Sequence, residues 1–101
     1  MIEAKDLHLS KQVLHFFPEA EGEESVHRIA LLKACDYAGM IRCKPIGEIA
    51  RHHAIDAQDA AYHFFYNAHA TVQQLKLAVA YCRHLAQAAF IAEHIDPEVW
   101  Q

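Results

Sequence analysis

From residue 48 to residue 96 the chain contains neither glycine nor proline. Such a stretch, rich in alanine, has nothing to interrupt hydrogen bonding along the backbone and reads as helix almost throughout. The whole chain holds only Gly22, Gly39, Gly47, Pro18, Pro45 and Pro97 as punctuation, and its apolar residues recur at helical spacing elsewhere too. A single all-α domain over residues 1–101 follows, since 101 residues suffice for one core and rarely for two. The apolar share of 53% and charged share of 22% are those of a folded domain, which excludes a disordered chain.

The punctuation divides the chain into about five helices forming a compact bundle. The first runs from about Ala4 to Phe17, with Leu7, Leu14 and Phe17 on one face, Leu9, Val13 and Phe16 beside it, and Pro18 as its stop. Ser25 is a candidate N-cap for a second helix that ends at Gly39. Pro45 suits the first turn of a short third helix, from Ile46 to about His53, and Asp56 can cap a fourth. Thr71 with Gln74 has capping-box spacing and opens the fifth helix near Val72.

This last helix, expected to reach Ile95, is apolar around most of its circumference. Gln73, Lys76, Arg83, Gln87 and His94 form its polar stripe, between one row of Leu75, Val79, Cys82, Ala86 and Ala89 and another of Leu77, Tyr81, Ala88, Ile91 and Ile95. A helix with two apolar rows has to be covered on both. Either the four shorter helices wrap it or a second copy covers part of it; because those helices are short, we expect a homodimer whose interface includes Leu77, Tyr81, Ala88 and Ile91.

Charge is unevenly placed. The net charge is −4, yet residues 1–25 carry −4 and residues 26–55 carry +3, so a basic centre lies beside an acidic flank. Nine histidines can take the net charge through zero in mildly acidic solution. MIEAKDLHLS has an early acid and no apolar run, no stretch is long enough to span a bilayer, and Cys35, Cys43 and Cys82 show no pairing pattern. Reduced thiols in a cytoplasm are expected. The cysteines and histidines lack the paired spacing of structural zinc, and Glu24-Ser-Val-His27 occurs once where a di-iron bundle needs it twice. With no phosphate loop, serine elbow or acid pair either, we expect neither an enzyme nor a metal or other cofactor.

One segment suggests a function. In residues 46–60, Ala50 sits where two short helices would cross, Ala54 and Ile55 where a tight turn would lie, and Asp56 where a second helix would be capped. This pattern resembles a helix-turn-helix. With Gly39, Ile49-Ala50 and Tyr62-His63-Phe64-Phe65, residues 29–65 are loosely similar to the DNA-binding end of TetR-type repressors. Ala54 replaces the usual turn glycine, and the helix that closes with Tyr62-His63-Phe64-Phe65 is one residue longer than in that family. The resemblance implies a transcription regulator that binds double-stranded DNA through a corner formed by residues 46–66. Lys44 and Arg51 would hold the phosphate backbone, and Gln58, Tyr62 and His63 would face the groove. Asp56 and Asp59 would oppose it.

The same helices describe a protein-binding module such as a secretion chaperone, adaptor or small inhibitor, and its acidic balance suits that class. The surface shared by Lys44, Arg51, Gln58 and Tyr62 separates the two expectations.

Overall fold

The structure is a computed structural model that describes residues 4–94. It contains four helices, α1 (Ala4–Phe16), α2 (Gly22–Arg42), α3 (Glu48–Phe65) and α4 (Val72–Glu93), and no strand among the described residues. α3 packs against both α2 and α4, which also touch each other, and α1 lies along α2. The main core gathers Val13, Leu31, Cys35, Phe65, Leu75, Val79 and Cys82, and a smaller cluster of Ile41, Ala54 and Ala89 closes the other end.

Local chemistry accounts for several boundaries. α1 stops two residues before Pro18, whose ring cannot continue a helix. α2 begins at Gly22, which adopts φ +48, with Glu23 and Glu24 in its first turn, where carboxylates suit the positive end of the helix dipole. Ser25 therefore lies inside the helix and does not cap it. Gly39 is also internal, because α2 continues to Arg42. Its missing side chain makes room for α3: a Cβ there would stand 2.9 Å from Gln58 Nε2. Thr71 and Gln74 form the complete capping box, with Gln74 N donating to Thr71 Oγ1 (3.1 Å) and Thr71 N to Gln74 Oε1 (2.9 Å). From there α4 runs unbroken to Glu93. The expected end at Ile95 and the tail after Pro97 lie outside the described residues.

The main correction concerns residues 46–66. The two short helices and the corner expected there are one continuous helix, α3, with Gly47 as its N-cap. Ala54, at the position of the supposed turn, is completely buried mid-helix, and Asp56 is exposed on the outer side and caps nothing. Alanine is the strongest helix former and glycine among the weakest, so replacing the turn glycine with Ala54 removes the only local reason to bend. Ala50, Ala54, Ala57 and Ala61 instead form one buried row, which lets α2 and α4 approach the α3 backbone closely. Phe65 closes the inward face of α3 and is buried, and Ala68 falls in the exposed turn after the helix. In α1 each of the two expected groups is split between core and surface. Val13 is buried and Leu9 and Phe17 lean on the core, while Leu7, Leu14 and Phe16 remain exposed.

Arg28 joins these parts. It has no exposed surface, rare for a charged side chain. Its guanidinium donates from Nη1 to the Phe65 carbonyl at the end of α3, from Nη2 to the Asn67 carbonyl in the α3–α4 turn (3.0 Å), and from Nε to Glu24 Oε1 (3.1 Å). Its flat face lies 3.7 Å from the centre of the Phe17 ring. One side chain thus ties the exit of α1, the body of α2 and the turn that aims α4. Phe16 and Phe17 complete the junction by meeting Phe65 edge-on at 6.0 and 5.4 Å.

Replacing Arg28 with Met keeps the stem but leaves the buried Phe65 carbonyl, the partly buried Asn67 carbonyl and Glu24 without this donor. This should cost about 3 kcal/mol in urea unfolding. Arg28→Lys should recover only part of it, because an ammonium cannot serve three acceptors and stack flat on a ring. A loss under about 1 kcal/mol for Arg28→Met would refute this role.

Candidate functional site

The residues expected to read DNA are not gathered into a reading head. Arg51, Gln58 and Tyr62 share one side of α3, since they are seven and four residues apart, but Gln58 and Tyr62 face α2. The Gln58 amide oxygen accepts from Arg42 Nη1 at 2.9 Å, and both Gln58 and Tyr62 reach the buried sulfur of Cys35. Tyr62 also stacks on Tyr66, with ring centres 6.3 Å apart. Lys44, beyond the end of α2, is engaged across the molecule by Glu93 of α4 at 3.4 Å. His63 belongs to the outer row of α3.

That outer row decides the electrostatics. Turn by turn it carries Glu48, His52, Asp56, Asp59 and His63, all exposed, and Glu48 stands 3.9 Å from His52. The part of α3 that projects furthest is thus built of carboxylates and imidazoles, with Arg51 to one side. Phosphate would meet Asp56 and Asp59 first.

Apolar groups are exposed elsewhere. Between α2 and α4 an open groove is lined by Ala34, Tyr37, Ala86 and Phe90, with Arg83 and Gln87 completing the lining. Tyr37 and Phe90 are each nearly half exposed, and Met40, one turn beyond Tyr37, is 65% exposed. A neighbouring groove between α1 and α2 shares Tyr37 and is otherwise lined by His8, Leu9, Lys33, Asp36 and Met40. None of these was singled out as a site from sequence; the available signal was the pair of large apolar residues, Tyr37 and Phe90, each left beside the row that fills the core.

The expected interface residues do come together. Leu75, Ala78, Val79, Cys82, Ala86 and Ala89 fill the buried side of α4. Leu77, Tyr81 and Ile91 lie on its opposite side, 60%, 52% and 54% exposed, with Ala88 half-buried among them.

The thiols are well separated in character. Burial pushes Cys82 up to about 11, with a smaller contribution from the negative charge that Cys35 would carry. Burial also raises Cys35, outweighing the hydrogen bond from Tyr62 that favours its thiolate. Contact with Cys35 in turn raises the Tyr62 phenol. Only Cys43 is exposed. Among the described residues, no three histidine, cysteine or acidic side chains gather closely enough to hold a metal ion. Glu24 of the Glu24–His27 pair is occupied by Arg28.

No protein-family model, curated protein or solved structure matches the chain. No helix among the described residues is long and apolar enough to cross a membrane.

At neutral pH a thiol reagent should label one cysteine quickly, Cys43. Cys35 and Cys82 should react only after denaturant is added, because both must be exposed and deprotonated. Rapid labelling of two or three thiols in the native protein would contradict the burial described.

Proposed function

We propose that this protein is a helical protein-interaction module, and that the groove between α2 and α4 holds an amphipathic helix of a partner protein. The observation that carries this reading is the groove's composition. Ala34 and Ala86 keep it open at the base, and Tyr37 and Phe90 supply large apolar walls. Arg83 offers a cation for a carboxylate on the incoming helix. Parallel apolar walls with one charged group at the edge suit a ridge of residues at i, i+3 or i+4, and i+7. Aromatic residues beside a cation are also the groups in which interface binding energy concentrates.

The double-stranded DNA expected from the helix-turn-helix resemblance has less support. It needs two short helices meeting at an angle, where α3 is a single rod. It also needs a convex basic surface, where the outermost row of α3 carries Glu48, Asp56 and Asp59. Steric and electrostatic arguments therefore agree.

Selection from a displayed library of amphipathic helical peptides should enrich sequences with large apolar residues on one face and an acid placed to meet Arg83. Tyr37→Asp or Phe90→Asp should weaken the recovered peptides more than about tenfold, and Arg51→Ala should leave them unchanged. A gel-shift titration at low salt should show no retention of duplex DNA. Retention that falls steeply with salt and is lost in Arg51→Ala would reverse the reading.

A further inference from the structure

The outermost face of α4 is the wrong way round for a helix that meets water. Directly opposite its buried row, successive turns present Gln73, Leu77, Ala80, Tyr81, His84, Gln87, Ala88 and Ile91. All except the half-buried Ala88 are exposed. No Lys, Arg, Asp or Glu occurs on this face; Lys76 and Arg83 lie to one side, and Glu93 turns back to Lys44. A surface helix usually keeps its charges there.

We propose that a second copy of this chain covers this face, with the two α4 helices antiparallel and a two-fold axis passing through His84. The spacing argues for this occupant and this direction. Leu77 and Ile91 lie seven residues before and after His84, so in an antiparallel pair each meets the other from the partner copy. Tyr81 then falls on the partner's Ala88, and Gln87 on the partner's Ala80, a large residue against a small one in each case. A parallel pair would put Tyr81 on Tyr81 and Ala88 on Ala88, crowding one level and leaving a gap at another. The lack of formal charge matters as well. A face that meets its own copy cannot use opposite charges at the axis, and this one needs none.

The size of the face sets the strength. α4 has 22 residues, which is about 33 Å of helix with a contact width of roughly 10 Å. A contact of that length and width covers roughly 330 Å² on each copy, well below a standard-size interface, so the pair is a weak, transient one. The dimer is reversible, with a dissociation constant in the micromolar range. Gln87 borders both this face and the α2–α4 groove, but the groove's apolar walls, Tyr37 and Phe90, are not part of the face. The two-fold axis also leaves both grooves opening on the same side of the pair.

Sedimentation across low to high micromolar concentration should show a monomer–dimer equilibrium. Leu77→Glu or Ile91→Glu should weaken it about 30-fold or more, with the helical circular dichroism unchanged because both side chains are exposed. Register is read by crosslinking in a Cys43→Ser background, which leaves only the two buried thiols. His84→Cys should form a disulfide-linked dimer on mild oxidation. Leu77→Cys alone should not, but Leu77→Cys mixed with Ile91→Cys should. A monomer at every concentration would overturn the proposal. So would self-crosslinking of Leu77→Cys in preference to His84→Cys, which is the signature of a parallel pair.

Discussion

The architecture depends on how closely helices can approach α3. Ala50, Ala54, Ala57 and Ala61 turn one side of that helix into a smooth wall, each with at most 1% of its surface exposed. Two neighbours can rest on it at once because no large side chain holds either away. Gly39 extends the same device to α2, whose backbone passes where a side chain would press on Gln58. A wall of this kind requires a straight and continuous helix. A bend at Ala54 would turn half of the alanines away from α4 and open the smaller cluster of Ile41, Ala54 and Ala89.

Close approach fixes distances but leaves the end of the bundle open, and Arg28 supplies what alanine cannot. A fully buried guanidinium is tolerated because each side of it is satisfied: two carbonyls, one carboxylate and one aromatic face. Its acceptors belong to the last residue of α3 and to the turn that follows, so it sets the direction in which the chain leaves for α4. The exposed apolar surfaces result from this arrangement. α4 lies across α2 and α3, fills the core with one row, and carries its second row outward, where none of the other described helices covers it.

Much of this was legible in the sequence. Thr71 and Gln74 marked the start of α4, Pro18 the end of α1, and the row of Leu75, Val79, Cys82, Ala86 and Ala89 marked the side of α4 that fills the core. Each depends on interactions within a few residues, and periodicity reports those well. Residues 46–66 misled for a physical reason. Small residues at a close crossing look alike whether two short helices meet at a corner or one long helix serves as a wall, so Ala50 and Ala54 fit both. The distinction lay in the turn position, where alanine stands in place of glycine, and in Asp56, which suits the exposed middle of a helix as well as its start. Arg28 was hidden for a different reason. Its partners at Phe65 and Asn67 are almost forty positions away, and only Glu24, one turn earlier, hinted that it was engaged. The α2–α4 groove was equally distant, since Tyr37 and Phe90 meet only after the bundle has closed.

Amide hydrogen exchange resolved by residue tests the continuous α3 most directly, because a wall and a corner differ in which backbone groups are tied. The unbroken helix requires slow exchange at every amide from His52 through Phe65, with helical carbon shifts across Ala54, Ile55 and Asp56. A window of fast exchange at residues 54–57, with shifts leaving the helical range there, would contradict the wall and restore the corner.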